Sequence, residues 1–303
     1  MKVLRTPDER FANLPDFPYQ PHYVEVKAGV EAASGLRLHY LDEGQGDPIL
    51  CLHGEPSWCY LYRKMIPTLS RHGRVIAVDL VGFGRSDKPV GREWYSYALH
   101  HDALASLVEQ LDLKRITLVG QDWGGLLGLP IATEMPDRFA RLVIMNTGLP
   151  ISGKPLSPAF MAWKAYATRS DDLNVGRVLQ NATVSTLSPS VVAAYDAPFP
   201  DPAYQGGALA FPNLVPITED AEALPHMRKT AAALKSWNRP ALVMFSDQDP
   251  VTAGGDQFFR SLIPSAKDEP EITIADAGHF LQEDKGQEIA DHIVEFFGRR
   301  PIR

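Results

Sequence analysis

The sequence predicts an α/β fold, a doubly wound, mostly parallel sheet with an inserted, mainly helical segment. From about Ile49 onward, short apolar runs alternate with longer amphipathic stretches, which is typical of parallel strands joined by crossover helices. Between Asn146 and about Glu222, this rhythm gives way to short helix-like pieces separated by many prolines. No buried strand tolerates that density of proline, so this stretch is expected to leave the sheet.

Six apolar runs are predicted to form the buried strands of the sheet: residues 48–52, 74–79, 115–119, 141–145, 241–245 and 271–274. Residues 24–26 and 36–40 alternate in polarity like the strands of an edge hairpin. In open α/β sheets, ligands bind beyond the carboxyl ends of the parallel strands. The chemistry is therefore expected in the loops that follow the six buried strands.

The chain is predicted to divide into two domains. A helix is expected over residues 159–168 inside the inserted segment, and another over about residues 220–236 leads back to the sheet. We therefore expect an α/β main domain of residues 1–147 and 223–303 and a helical cap domain of residues 148–222. A chain of 303 residues is long enough for one large domain with a smaller satellite.

Composition and charge exclude several classes of protein. With 45% apolar and 22% charged residues, the chain has the composition of an ordinary globular protein. Lys and Arg total 30 against 37 Asp and Glu, and no basic run offers a footprint for nucleic acid. The first residues soon become charged and proline-rich, so we expect no signal peptide, no membrane association and a cytoplasmic location. Cys51 and Cys59 are too few for a disulfide framework, lack metal-ligand partners at a useful spacing and are expected to be free thiols.

An aspartate occupies the position at which a nucleophile is expected. The strand over residues 115–119 runs into Gly-Gln-Asp-Trp-Gly-Gly at residues 120–125 and then into a helical segment. The flanking glycines permit the strained strand-to-helix turn that forms the nucleophile elbow of α/β hydrolases, with Asp122 where most relatives carry serine. The alternative is that Asp122 only caps the following helix.

An aspartate nucleophile favours reaction at a saturated carbon. Because the ordinary pKa of Asp is about 3.9, Asp122 is ionised at neutral pH and needs no base to activate it. Attack on an ester or amide would give a mixed anhydride, whereas displacement at carbon gives an alkyl ester that water can cleave. The predicted electrophiles are alkyl halides and epoxides.

Hydrolysis of such an ester requires a base. His279 lies in the loop after the last strand, and the chain order of nucleophile, acid and histidine supports it as the base. A lone histidine is more often structural, and the chain has nine. Asp247 and Asp249 both follow the strand at residues 241–245 and compete as the supporting acid. We favour Asp249, because a turn residue just before Pro250 suits a carboxylate that reaches the histidine, while Asp247 could simply end the strand.

A glutamate follows the strand that ends at Leu52, in the sequence His-Gly-Glu-Pro at residues 53–56. In this fold, the backbone N–H of the residue after His-Gly forms an oxyanion hole with the backbone N–H of the residue after the nucleophile, here Trp123. The Glu55 side chain would then enter the site, where it could orient water. Alternatively, Glu55 is only a helix-start residue near Pro56.

The leaving group separates halide displacement from epoxide opening. An opening epoxide becomes an alkoxide that needs an acid, whereas a halide needs only weak donors in an apolar pocket. Trp123 and Trp163 can each supply an indole N–H on a large apolar ring. Both can equally be packing residues. Three tyrosines of the inserted segment keep epoxide hydrolysis open as the alternative: Tyr166, Tyr195 and Tyr204.

Four motifs together resemble the haloalkane dehalogenases: residues 53–58, 82–89, 121–125 and 275–280. The first two motifs and Asp-Trp-Gly-Gly are shared with epoxide hydrolases, so the tryptophan at position 163 discriminates more strongly. The likeness extends through residues 160–164 and 197–201 and covers nearly the whole chain from Pro48 onward. It is to the branch that has a halide-binding tryptophan in the cap and its acid after the strand that follows the cap.

The resemblance implies a role for each candidate residue. Asp122 would be the nucleophile, His279 the base and Asp249 its acid, while Trp123 and Trp163 would bind the halide. Phe160 would line the same pocket. The position after the strand at residues 141–145, where another branch carries its acid, reads Asn-Thr-Gly and has no carboxylate.

The implied reaction is hydrolytic dehalogenation of a haloalkane to a primary alcohol, halide and a proton. It requires no cofactor and no metal. The expected partners are a small apolar halogenated substrate, water and the halide product, and we expect a monomer. A different class, a small-molecule receptor that kept a hydrolase fold, remains an alternative, although a pure binder has no need of nucleophile, acid and histidine together.

Overall fold

The computed structural model describes residues 1–28 and 35–302. The strands are β1 (Val3–Leu4), β2 (His22–Val26), β3 (Leu36–Glu43), β4 (Pro48–Leu52), β5 (Arg74–Val78), β6 (Lys88–Pro89), β7 (Ile116–Gln121), β8 (Phe139–Met145), β9 (Ala241–Ser246) and β10 (Ile272–Ile274). The α-helices are α1 (Ile66–Leu69), α2 (Tyr97–Gln110), α3 (Trp123–Glu134), α4 (Pro158–Arg169), α5 (Val175–Asn181), α6 (Pro189–Asp196), α7 (Gly206–Leu214), α8 (Leu224–Leu234), α9 (Gly255–Leu262) and α10 (Leu281–Arg299).

Within the described residues, the main sheet has eight strands in the order β10-β9-β8-β7-β4-β5-β3-β2. Neighbouring strands from β10 to β5 pair in parallel, and β3 and β2 add an antiparallel edge. The predicted doubly wound, mostly parallel sheet and the edge hairpin are therefore confirmed. All six predicted buried strands are present, with ends that differ from the prediction by at most two residues.

The strand order reverses at the centre of the sheet. After β4 the chain adds β5 on one side and then crosses to place β7 on the other side of β4. The loops after β4 and β7 consequently leave the same edge of the sheet in opposite directions. Such a reversal opens the crevice in which ligands of doubly wound sheets bind. It brings the segment after Leu52 opposite the segment after Gln121.

The central strands are apolar because both of their faces are covered. Every residue of β4 and β7 is buried, and β8 is buried except for one position. Strands that face helices on both sides read as continuous apolar runs, since neither face meets water. The length and the apolar content of these runs therefore predict the strands better than an alternation of polar and apolar residues does.

The segment between β8 and β9 is helical, as predicted, and no strand is assigned there. Two of its prolines begin α-helices: Pro158 opens α4 behind the capping hydroxyl of Ser157, and Pro189 opens α6 behind that of Ser188. A proline at the first helical position loses no hydrogen bond, because that N–H has no partner within the helix. The predicted helix over residues 220–236 was too long, since α8 begins only at Leu224, directly before Pro225.

Both cysteines are buried and unbridged, in agreement with the prediction of free thiols. Within residues 1–28 and 35–302, no helix combines the length and the apolar character needed to cross a membrane.

Candidate active site

Asp122 lies on the sharp turn between β7 and α3. Its backbone has φ 50° and ψ −119°, a conformation that is strained for a residue with a side chain. A Cβ at Gly124 would collide with the carbonyl of Leu52, and one at Gly125 would collide with the Thr147 side chain. The Asp122 side chain makes no capping hydrogen bond to α3. The alternative of a simple helix cap therefore has no support from the geometry.

The two oxygens of the Asp122 carboxylate face different partners. Oδ1 accepts a hydrogen bond of 2.9 Å from the backbone N–H of Glu55, and Oδ2 lies 3.5 Å from Nε2 of His279. Of the two backbone donors predicted for an oxyanion hole, Glu55 contacts the carboxylate. The hydrogen bonds found in the described part of the chain include none from the Trp123 backbone N–H to this carboxylate.

His279 connects Asp122 to a second carboxylate. Its Nδ1 lies 3.0 Å from Oδ2 of Asp249. Asp249 is buried and also accepts hydrogen bonds from the Val251 backbone, at 2.8 Å, and from the Thr252 hydroxyl. Asp247 is exposed and instead contacts the Ala277 backbone. The geometry thus places Asp249, not Asp247, against the histidine.

The charges of this arrangement shift two pKa values in opposite directions. Burial alone disfavours the His279 imidazolium, but the Asp249 and Asp122 carboxylates outweigh it and raise the pKa of His279 to about 10. Burial likewise favours the neutral form of Asp249, yet His279 and the two donors from Val251 and Thr252 hold the pKa of Asp249 below its usual value. Asp249 is therefore ionised and orients the ring by accepting from Nδ1–H.

One cavity of about 710 Å³ brings all but one of the candidate residues together. It is lined by residues that the sequence singled out: Glu55, Asp122, Trp123, Phe160, Trp163 and His279. Asp249 lies behind His279 and does not line it. Phe160 and Trp163 both come from α4 and close the cavity from the side of the inserted segment. The walls are mainly apolar, so an uncharged substrate can displace water from the carboxylate.

Three comparisons with known proteins show the family to which the chain belongs. A family profile for the alpha/beta hydrolase fold matches residues 47–286. The haloalkane dehalogenase of Psychrobacter cryohalolentis is 51% identical over 304 residues, which cover 99% of this chain and 100% of that relative. Haloalkane dehalogenase 1 of Mycobacterium tuberculosis is 48% identical, over 98% of this chain and 99% of the relative. The chain belongs to the haloalkane dehalogenases.

Solved structures of other haloalkane dehalogenases share the fold. The tetrameric DpaA from Paraglaciecola agarilytica NO2 superimposes with a TM-score of 0.89 at 40% identity, covering 96% of this chain and 97% of that one. DatA from Agrobacterium tumefaciens C58 gives a TM-score of 0.76 at 26% identity. The predicted α/β-hydrolase fold and the resemblance to this family of hydrolases are confirmed.

Within this haloalkane dehalogenase, the indole N–H of Trp163 already has a hydrogen-bond acceptor. Its N–H donates to Oε2 of Glu55 at 3.1 Å. Burial, together with the negative charge of Asp122, raises the pKa of Glu55 well above its usual value. The next helical turn begins only at Cys59, so Glu55 is not a helix-start residue. A halide at Trp163 must share or displace this hydrogen bond.

Trp123 differs from Trp163 in this respect. Its indole packs edge-to-face on Phe211, with ring centroids 4.4 Å apart, and its ring lines the cavity next to Asp122. Its N–H makes no hydrogen bond to any residue that the structure describes. A halide at Trp123 would thus meet a donor with no competing protein acceptor.

Two residues that position His279 were not predicted from the sequence. The Gln121 amide nitrogen donates to the His279 carbonyl at 3.1 Å and lies 3.2 Å from His279 Nε2. The Asn146 amide donates to the carbonyls of Gly278 and His279, at 3.0 and 3.1 Å. Both hold the histidine loop against the ends of β7 and β8. The available signal was their position: each amide directly adjoins or ends a central strand.

Proposed function

We propose that this protein hydrolyses haloalkanes to a primary alcohol, a halide ion and a proton through an alkyl ester on Asp122. The observation that carries the proposal is that the two oxygens of one carboxylate, in a mainly apolar cavity, face different partners. One oxygen of Asp122 is held by the Glu55 backbone N–H, and the other faces the imidazole of His279. The carboxyl carbon of Asp122 thus lies between a donor for the developing oxyanion, the Glu55 N–H, and a base, His279.

In the first step, Oδ2 of Asp122 attacks the carbon that carries the halogen. The new C–O bond forms as the C–X bond breaks, and the halide leaves with the bonding electron pair. The indole N–H groups of Trp123 and Trp163 solvate the departing ion, which needs donors but no proton. For Trp163 this contact requires that its hydrogen bond to Glu55 be shared or broken.

In the second step, water cleaves the ester. His279 accepts a proton from water as the water oxygen adds to the carboxyl carbon of Asp122, and Oδ1 takes up negative charge next to the Glu55 N–H. Collapse expels the alkoxide, which takes the proton from His279 and leaves as the alcohol. The resulting carboxylic acid of Asp122 passes its proton to His279, which restores the carboxylate and the imidazolium of the free enzyme.

The raised pKa of His279 fits this order of steps. In the free enzyme, two carboxylates favour the imidazolium, which cannot act as a base. Ester formation neutralises Asp122 and removes one of them, so the pKa of His279 falls. After the imidazolium has released its proton to solvent, the neutral base is available while an ester is present to be hydrolysed.

An oxygen-isotope experiment tests this mechanism. In a single turnover in H₂¹⁸O with excess enzyme, the alcohol should carry unlabelled oxygen from Asp122, while ¹⁸O enters the Asp122 side chain. Direct attack of water on the substrate would instead label the first-turnover alcohol and leave Asp122 unlabelled, which would refute the ester mechanism.

Epoxide hydrolysis by the same Asp-His-Asp set is the alternative. It would need tyrosine hydroxyl groups in the cavity as acids, and of the three candidate tyrosines Tyr166 alone is among the lining residues. Tyr195 is buried and donates to Glu283. We therefore expect bromide release from a bromoalkane to exceed diol formation from the matched epoxide. Diol formation without bromide release would overturn the assignment.

Two further proposals concern organisation. We propose that residues 148–222 act as the cap domain, because α4 contributes Phe160 and Trp163 to the cavity. A cytoplasmic location also stays a prediction.

Tight binding of a bromoalkane without turnover would favour the alternative that the protein is a small-molecule receptor over catalysis.

A further inference from the structure

A second cluster of titratable side chains lies outside the catalytic cavity, where α2, α3 and α8 meet. It contains His101 of α2, Glu134 at the end of α3 and His226 of α8. Nε2 of His101 lies 2.8 Å from Oε2 of Glu134, and Nδ1 of His226 lies 3.7 Å from Oε1. One donor atom from each residue lies within 4.8 Å of the other two. All three side chains are partly exposed, so an ion can reach them from solvent.

Both ring nitrogens of His101 lie against carboxylates. Its Nδ1 lies 3.1 Å from Oδ1 of Asp102, while its Nε2 faces Glu134. Ionised carboxylates only accept, and a neutral imidazole has a single N–H, so it can serve only one of them. With Nδ1–H donating to Asp102, a metal ion held between Nε2 and Glu134 would satisfy both contacts. A carboxylate on the far nitrogen is also the usual outer partner of a metal-bound histidine.

We propose that His101, Glu134 and His226 bind a divalent transition-metal ion of the zinc class. Zinc bonds of about 2.0–2.1 Å in tetrahedral geometry place neighbouring donor atoms about 3.3 Å apart. The two histidines approach different oxygens of Glu134, at 2.8 and 3.7 Å, and one donor atom from each of the three residues lies within 4.8 Å of the other two, so binding requires side-chain rotations that bring these atoms to the zinc spacing. Two imidazoles and one carboxylate favour Zn²⁺, Co²⁺ or Ni²⁺ over Mg²⁺ and Ca²⁺.

The position of the cluster indicates a structural role. His226 belongs to α8, which connects the inserted segment to β9, and β9 leads to Asp249. An ion at the cluster would fasten α8 to α2 and α3 by a link that does not exist in the unfolded chain. Binding to the native state alone raises its stability by mass action. The ion would take no part in the reaction at Asp122, so this proposal is independent of the proposed mechanism.

The charge of Lys229 predicts the direction in which one substitution changes the metal affinity. Its ammonium nitrogen lies 3.3 Å from Oε1 of Glu134, on the side of the carboxylate that faces His226. A positive charge there repels a divalent cation and competes for the same oxygen. Removal of this charge should therefore tighten metal binding, whereas non-specific binding to surface histidines would not respond.

The test uses the full-length protein treated with EDTA and then titrated with ZnCl₂ in a non-coordinating buffer. Isothermal titration calorimetry should show one equivalent bound, and the melting temperature should rise by about 2–4 °C at saturation. His226→Ala and Glu134→Gln should each weaken binding at least tenfold, and Lys229→Ala should strengthen it. His292→Ala is the matched control, because His292 also lies beside a carboxylate, 3.6 Å from Glu295, and should leave binding unchanged.

Several results would overturn the site. These are no zinc-dependent change in the wild type, unchanged affinity in His226→Ala, unchanged or weaker affinity in Lys229→Ala, or lost binding in His292→Ala. Circular dichroism without zinc establishes that each variant is folded. His226→Gln serves as the second variant if His226→Ala does not fold.

Discussion

At the scale of single residues, Glu55 joins two parts of the cavity. Its backbone N–H binds the Asp122 carboxylate, and its side chain accepts from the Trp163 indole. Its second side-chain oxygen is buried and has no hydrogen-bond partner among the residues described. The raised pKa of Glu55 disfavours a second negative charge next to the nucleophile and the departing halide. Its backbone contact contributes regardless of the side chain, whereas its acid group sets the local charge.

The substitution Glu55→Gln should change the pH dependence of stability. Because the pKa of Glu55 is higher in the folded than in the unfolded protein, its contribution to stability is full below the unfolded pKa, about 4.3, and is lost as pH rises. Glutamine cannot ionise, so the variant should gain stability relative to wild type between pH 5 and pH 9. Urea unfolding at both pH values measures this gain. The exposed Glu288→Gln is the control, and an equal pH dependence in Glu55→Gln and wild type would contradict the raised pKa of Glu55.

A second residue-scale prediction concerns the coupling between His279 and Asp122. Asp122→Asn mimics the uncharged ester and removes one of the carboxylates that raise the pKa of His279 to about 10. The imidazole should therefore titrate at a lower pH in this variant. NMR titration of the His279 ring provides the measurement, on protein in which peptide mass spectrometry has verified that the introduced amide is intact. An unchanged pKa would show that ester formation does not release the base.

At the scale of elements, a buried ion pair accepts a hydrogen bond from the inserted segment next to the loop that carries His279. Nη1 and Nη2 of Arg63 each donate to one carboxylate oxygen of Glu283 at 2.6 Å, in the first turn of α10. The hydroxyl of Tyr195, on α6, donates to the same carboxylate at 2.6 Å. α10 begins two residues after His279, so this contact ties α6 to the element that follows the proposed base.

Loss of the Glu283 charge should therefore be costly. Glu283→Gln leaves the buried Arg63 without a counter-ion, for which we expect a loss of about 3–5 kcal/mol in the free energy of unfolding. Burial opposes ionisation of Glu283, but Arg63 outweighs it and lowers the pKa of Glu283 to about 2. Its stabilisation is thus present above the unfolded pKa and is lost as pH falls from about 4.3 towards 2. Urea unfolding measures both effects.

The exposed pair of Lys114 and Asp112 provides the control for this experiment. Lys114→Ala should change stability by less than about 0.5 kcal/mol, because exposed pairs are screened by water. Equal effects of Glu283→Gln and Lys114→Ala would contradict the role of the buried pair.

The elements also show what the sequence can reveal. Apolar runs located the strands, since burial on both faces leaves a local signature, and serine-proline pairs mark two helix starts. The contacts of Gln121 with His279 and of Trp163 with Glu55 join residues 158 and 108 positions apart. No periodicity encodes such a pairing. The sequence therefore predicted which residue types gather at the site, but not that Trp163 donates to Glu55.

At the scale of the whole molecule, we predict a monomer. The large apolar side chains exposed on the described part of the chain are few, and two of them, Leu156 and Tyr166, also line the cavity. Stable homo-oligomers usually bury extensive apolar surface. Light scattering should therefore give a mass near 33.5 kDa. DpaA is tetrameric, and a mass about four times larger here would contradict the prediction.

The covalent ester on Asp122 is the central claim, and trapping it is the most direct test. His279→Phe removes the base while it leaves the nucleophile and the cavity in place, so the first step should proceed and the second should stop. After incubation with 1-bromobutane, peptide mass spectrometry of the folded variant should find a butyl group on Asp122, together with one equivalent of bromide. An unmodified Asp122 in the folded, substrate-exposed variant would contradict the mechanism.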